Sequence, residues 1–498
     1  MTRAAALRPA VSKELRALLP LWGASVAAVA TAFMWRGGVL LDMGVFAYVV
    51  GSIAIGAHSI GQEYTHHTLS TLLSQPVDRR RVYLLKFIVA AVMLLTLAAV
   101  AWSVLANTVV RPGLWSATFI VWPLLCGLFL APLLTMIARG SLAGMVLSAS
   151  VAGCTWLASV TIAALWLGTG MEAAERVIFD YFAAAMVVAC PAAGFLGWRK
   201  FRGLEATDAA SPAFHLPRWL KGAPGARRHA PLRALAAKEL HLQQMSFVVA
   251  ALNIVIWAIL LLLQRNVPSL STFPVDAILL LYCVGVAIMI GALASAEERH
   301  HGTLAWQLLQ PAPARQQWIV KVGVAVGLAL LLGVGLPMLL IQLTPHGGFP
   351  ALRAGADLGV VVVLMTAGST YISSLSGSGV QAMAWSVPIG LAAVLFTQTM
   401  GRALGWVAVR FTSPLMANVV TGAVMPASVD AVDIVTFALR AFTIALTPLL
   451  LWFGFVNHTS QDRTTRRIVG QAASIALVIT AVVVLVGGVL AFYELRSR

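Results

Sequence analysis

Apolar runs of about 20 residues, the length an α-helix needs to cross a hydrocarbon core, recur along nearly the whole chain between short polar or basic segments. They predict spans at about 17–35, 39–60, 84–110, 114–137, 141–167 and 177–197, then at about 246–263, 275–295, 318–343, 355–373, 379–398, 434–455 and 468–492. A basic amphipathic prelude at Val11–Ala17 precedes the first span, and a second at Leu232–Gln244 precedes the seventh. Residues 401–432, with Pro414 and Pro426, read as a long outer segment containing short interfacial helices. The fold class expected is all-α and polytopic, with 12–13 transmembrane helices. Ala28-Val29-Ala30 has the look of a signal-peptidase site, but a matching span in the second half argues that the first is retained.

The chain is doubled. Gly61–Lys86, GQEYTHHTLSTLLSQPVDRRRVYLLK, returns 235 positions later as AEERHHGTLAWQLLQPAPARQQWIVK, Ala296–Lys321. Identities at that offset pair Glu63 with Glu298, His66 with His301, Thr68 with Thr303, Leu69 with Leu304, and Leu73 with Leu308. Gln75-Pro76 matches Gln310-Pro311, Arg80 matches Arg315, and Lys86 matches Lys321. A second mark, Lys13-Glu14-Leu15, returns as Lys238-Glu239-Leu240 at an offset of 225, which places a ten-residue insertion between the two marks of the second half. An internal repeat governs everything read after it. The expected organisation is a six-span half at 1–198, a basic linker at 199–231, a second six-span half at 232–457, and a basic turn with one further span at 458–498.

Composition agrees with membrane residence. The chain is 60% hydrophobic and 10% charged with a mean hydropathy of +0.88, whereas soluble domains carry roughly 25% charged residues. The net charge of +16 is concentrated in a few inter-span segments, Arg79-Arg80-Arg81 among them. That is the positive-inside pattern, not a nucleic-acid footprint, and it sets the N-terminus and the repeated segments in the cytoplasm. Asp42, Glu172, Glu175, Asp180, Asp276, Asp357, Asp430 and Asp433 fall at the outer ends. Cys126, Cys154, Cys190 and Cys283 lie in apolar spans without paired spacing, as small buried hydrophobes do. Arg440, inside the twelfth span, is placed either for snorkelling or for function.

In the repeated segment a helix-favouring stretch from Glu63 to Ser74 carries Leu69, Leu72 and Leu73 on one face and stops at Pro76. A short amphipathic helix of this kind can pack on the membrane or enter a groove of a soluble partner. Two copies that share individual side chains favour the partner, since a lipid surface asks only for amphipathicity.

The sequence acid, Thr-Leu, apolar pair, Gln-Pro, basic residue and Lys resembles the segment between the second and third spans of ABC-2 type permeases, in the fused two-half form of antibiotic and multidrug exporters. The resemblance extends over essentially the whole chain to about residue 455. It implies that Glu63 to Gln75 and Glu298 to Gln310 are coupling helices, with Lys13, Glu14, Lys238 and Glu239 on the connecting helices before each half. His67 stands where the family pattern favours Gly and Gly302 keeps it, so the two coupling sites are expected to differ.

No phosphate-cradling G-x-x-x-x-G-K-[ST] loop occurs in the chain. The expected partners are therefore two copies of a separate ATPase subunit, which would hold ATP and Mg, together with the lipid bilayer and a hydrophobic small molecule. No catalytic set appears, and His66, His67, His300 and His301 lack the companions of a metal site. The expectation is export of an antibiotic, drug or lipid across a bacterial plasma membrane. The rival reading is an ion-coupled secondary transporter with six-plus-six architecture, in which Asp78-Arg79-Arg80-Arg81 would be the loop motif after the second span.

Overall fold

A computed structural model of the chain describes residues 3–33, 38–65, 68–74, 78–108, 117–167, 171–204, 231–266, 275–300, 312–343, 351–411, 431–460 and 464–497. All regular structure among them is helical. The helices of the first half are α1 (Arg3–Phe33), α2 (Gly38–Thr65), α3 (Leu69–Ser74), α4 (Arg79–Thr108), α5 (Ala117–Leu125), α6 (Ala131–Ala138), α7 (Ser141–Leu167) and α8 (Met171–Arg202). After them come α9 (Pro231–Leu242), α10 (Gln244–Asn266), α11 (Val275–His300), α12 (Ala314–Leu330), α13 (Leu336–Gln342), α14 (Ala351–Leu375), α15 (Gly379–Phe411), α16 (Ala431–Thr459) and α17 (Thr465–Ser497). Twelve helical stretches among the described residues are long and apolar enough to cross a bilayer, so the protein is a multi-pass, all-helical membrane protein.

Three sequence expectations need correction. The first prelude and the first span are not separate: α1 runs unbroken through Lys13, Glu14 and Arg16 and through Pro9 and Pro20, and it is not among those twelve stretches. In the second half the two parts are distinct helices, α9 and α10, separated at Gln243. The expected break at 401 is absent, because residues 401–411 continue α15. The third correction concerns the stretch from Glu63 to Ser74, which is two helices rather than one. Glu63 lies in the last turn of α2, which ends at Thr65, and α3 starts only at Leu69. The remainder of the expected outer segment, 412–430, lies outside the described residues. The final apolar run does form a helix, α17.

Contacts gather the elements into two compact units. The first contains α1–α8, α10 and the start of α15 as far as Pro388. The second contains α9, α11 from Leu279, α12–α14, the rest of α15, α16 and α17. The helices at the centre of each unit are α2 and α11: 78% and 72% of their most apolar windows are buried, against 50% or less for every other candidate span. Small residues make this possible for α2. Gly51 faces Ser25 of α1, Gly56 faces the Gly127 carbonyl, and Gly61 faces Ser141, each too close for a side chain.

Between α5 and α6 the helix widens into one π turn, Cys126–Leu130, where Ala131 N–H bonds back to the Cys126 carbonyl. Leu331–Gly335 does the same between α12 and α13, closed by Leu336 N–H to the Leu331 carbonyl. In both places a proline follows within two residues of the turn, Pro132 and Pro337. A proline lacks an N–H and collides with the carbonyl four residues back, and a π turn is a local widening that accommodates such a residue.

Candidate functional site

In the first unit α1, α2 and α4 meet at one end around a buried ammonium. Lys86, 2% exposed, sits two turns into α4. Its three hydrogens have three acceptors: Glu14 Oε1 at 2.7 Å, Glu63 Oε1 at 2.9 Å and the Ser59 carbonyl at 3.2 Å. Glu63, 1% exposed, is the shared carboxylate, also receiving Lys13 Nζ at 3.1 Å. The Thr68 hydroxyl donates to its second oxygen, and Thr68 N–H closes the end of α2 on the Glu63 carbonyl at 3.0 Å. Gln62 Nε2 donates to the other oxygen of Glu14 at 2.6 Å.

The second unit repeats the arrangement at its two glutamates, its two lysines and the main-chain acceptor. Lys321, with its side chain fully buried, bonds both oxygens of Glu239 at 3.2 Å, Glu298 Oε2 at 2.8 Å and the Ala294 carbonyl at 2.7 Å. Lys238 reaches Glu298 Oε1 at 2.6 Å, as Lys13 reaches Glu63. Even the carbonyls correspond, Ser59 and Ala294 being 235 positions apart. Burial pushes the Glu239 carboxyl above the ordinary carboxylate range. Lys321 opposes that push and the neighbouring Glu298 adds to it.

The two surroundings differ. In the first unit the Tyr83 ring packs on Trp198 and Phe201 of α8, with centroids at 5.3 and 5.2 Å. In the second, Trp318 packs on Phe455 and on buried His458 of α16, at 6.4 and 5.3 Å. His458 Nδ1 lies 3.4 Å from Ser295 Oγ. Arg299, beside Glu298, donates to the Asn457 carbonyl at 2.6 Å. Asn457 exchanges two hydrogen bonds with Gln471 of α17, at 3.1 and 3.0 Å, and Tyr371 donates to Gln471 at 3.1 Å. Ser373 Oγ bonds the main chain of α11, donating to the Ala292 carbonyl at 2.6 Å and accepting from Ala296 N–H at 2.8 Å.

Gln471→Leu is expected to leave buried Asn457 and Tyr371 groups without their partner and to cost about 1–2 kcal/mol. Thermal unfolding of the detergent-solubilised protein should read this as a lowered midpoint.

The other residues singled out in the sequence are placed as follows. Leu69 is fully buried in a small cluster with Ile60, Tyr64, Met136, Phe201 and Leu204, so it anchors α3 to the ends of α2, α6 and α8. Thr71 and Ser74 of α3 are exposed. Leu72 and Leu73 are on that helix, and their side chains are outside the description. His66, Gln75, Pro76, His301, Gly302, Thr303, Leu304, Leu308, Gln310 and Pro311 lie outside the described residues. Arg440 pairs with Asp357 at 2.9 Å, a half-exposed contact between α16 and α14.

Lys86 and Lys321 emerge here as the centre of each cluster, though in the sequence they served only to set the register. The available signal was a lysine inside an apolar run, which is costly without a partner. Chemically each cluster is a clamp. Glu63 and Lys86 bracket the first repeated segment, Glu298 and Lys321 the second, and each pair is joined by a buried ion pair to a helix that precedes its unit's central span. No protein-family model, no curated protein and no solved structure matches this chain.

Proposed function

We propose that the chain is the permease of an ATP-driven exporter of the ABC-2 type, built as two six-span halves with an added C-terminal span. Its repeated segments couple two copies of a separate ATPase to the spans. The cargo is a hydrophobic or amphipathic compound carried out across the plasma membrane, and the N-terminus and both segments are cytoplasmic. One observation carries the reading: each repeated segment is gripped at both ends by a buried glutamate and lysine that contact each other at 2.8 to 2.9 Å. A free loop would dissipate a push from a docked partner. A segment tied this way passes it to the end of one span, the start of the next and the prelude helix together.

The test begins with affinity purification of the tagged chain from native membranes, where an ATPase bearing a G-x-x-x-x-G-K-[ST] loop is expected in the complex. Thr71→Arg, on the exposed face of α3, puts a bulky charge at the docking surface. It should cut stimulated ATP hydrolysis about tenfold or more while leaving the unfolding midpoint of the permease unchanged. If no ATPase accompanies the chain, and vesicle transport follows an imposed proton gradient without ATP, the secondary-transporter reading replaces this one.

A further inference from the structure

A second feature lies in the first unit, away from the charge cluster. A cavity of about 910 Å³ opens between the start of α4, the end of α8 and the π turn after α5. Its residues follow helical spacing. Arg80, Leu84 and Phe87 descend one face of α4, while Gly194, Trp198 and Arg202 ascend one face of α8. Arg79 fastens the two helices at the mouth, donating to the Arg202 and Leu204 carbonyls at 2.7 and 2.9 Å. Phe129 forms the floor, its ring so close to Gly194 that no side chain fits there.

The cavity is graded from charged to apolar. Arg79, Arg80 and Arg202 surround the mouth, and Asp78 is the one acid among its lining residues. The Asp78 carboxylate accepts the Arg80 backbone N–H at 3.1 Å. Among the described residues neither the Arg80 nor the Arg202 guanidinium has an ion-pair partner; Arg202 lies over the Trp198 ring, 5.6 Å from its centroid. Both mouth helices begin or end a candidate span there, Arg79–Val104 and Val177–Arg202. Tyr83 and Trp198 lie close to the ends of those spans, and amphipathic rings favour the membrane interface. Below them Leu84, 44% exposed, and Phe87 continue toward the hydrocarbon.

We propose that this cavity binds an anionic phospholipid. Its phosphate would lie between Arg80 and Arg202, and an acyl chain would run along Leu84, Phe87 and Phe129. Guanidinium groups suit phosphate oxygens because they offer paired donors in a fixed plane. Basic pockets between spans are a recurrent way of holding acidic head groups. The assignment depends neither on which face of the membrane is cytoplasmic nor on the transport reading.

The test uses the full chain, delipidated in detergent, with phosphatidylglycerol or phosphatidylcholine added and retention counted by native mass spectrometry. Phosphatidylglycerol should be retained selectively. The double variant Arg80→Gln/Arg202→Gln should weaken that retention about thirtyfold. Arg233→Gln/Arg265→Gln, which removes as much charge elsewhere, should leave it within about twofold. Leu84→Trp, which fills the chain path but spares the arginines, should also weaken retention. Unfolding midpoints in phosphatidylcholine verify that each variant is folded, and Arg80→Lys/Arg202→Lys should recover part of the binding if a variant with glutamines does not fold. Equal loss in both charge-removing pairs, equal retention of the two lipids, or displacement by millimolar inorganic phosphate with no effect of Leu84→Trp would each overturn the assignment, the last in favour of a free-anion site.

Discussion

Lys321→Met is expected to destabilise the protein by about 3–5 kcal/mol, with Lys86→Met close behind, because each leaves two buried carboxylates without their shared cation. Glu239 is 3% exposed and Glu298 2%, so neither can recover its solvation by turning outward. The loss should be largely reversed by adding Glu239→Gln and Glu298→Gln to Lys321→Met, since no fully buried charge is then stranded and Lys238, 35% exposed, can be solvated. The two glutamates should not be equivalent. Glu298 contacts both Lys238 and Lys321, so it can still hold both lysines when Glu239 is replaced. Glu239 pairs with Lys321 and already carries a carboxyl whose charged form burial disfavours. Glu239→Gln is therefore expected to cost less than Glu298→Gln at neutral pH. Unfolding midpoints of the single variants and the triple variant decide the matter. A Lys321→Met cost under about 1 kcal/mol would place the cluster in the class of weak, solvated ion pairs.

Much of this site was written in the two repeat marks, but as separate facts. Lys13-Glu14 read as an interfacial prelude and Glu63 as the start of a docking helix, because helical periodicity assigns a residue to a face of its own helix and says nothing of which helices converge. Charge complementarity held the missing link. The matched ionisable residues that come together in each half are two acids and two bases, with Glu14, Glu63 and Lys86 against Glu239, Glu298 and Lys321 buried and Lys13 and Lys238 reaching in from the exposed side. Such a set can enter an apolar interior only by pairing.

Most of the membrane-length helices were legible because span length follows from bilayer thickness, as α4, α7 and α8 illustrate. The continuity of α1 was not, since Pro20 and three nearby charges suggest a break that packing against α2 and α4 overrides. The differences between the halves were the least legible. His458 takes the place of Phe201 against the ring of residue 318 or 83, and Gln471 ties α17 to α14 and α16. Neither position falls within the matched segments, so no register pointed to them. They add a structural reason for the two repeated segments to respond unequally to mutation, beyond the His67/Gly302 difference.

Gly56→Ala should cost about 3 kcal/mol, and Gly56→Val should prevent folding of the first unit, because α2 meets the π turn there backbone to backbone. A methyl group on Gly56 would occupy the position of the Gly127 carbonyl, and one on Gly127 that of the Ser52 carbonyl. Overpacking usually costs about 1–3 kcal/mol because side chains rotate away. Here the obstructing atoms are main-chain and cannot, so α2 itself must move. It cannot do so alone: Ser59 and Glu63, one and two turns further along the same helix, hold Lys86. The substitution therefore strains the charge cluster as well as the apolar contact. Gly153→Ala is the matching control, with nothing within 4 Å of the added methyl. Alanine's better helix propensity should make it neutral or stabilising by up to about 1 kcal/mol. If the two glycine variants unfold at the same midpoint, α2 is not wedged against the π turn. If only Gly56→Ala is destabilised and adding Lys86→Met costs little more, the close backbone approach and the buried lysine are one cooperative element, and Gly56 sets the depth at which Glu63 meets its lysine.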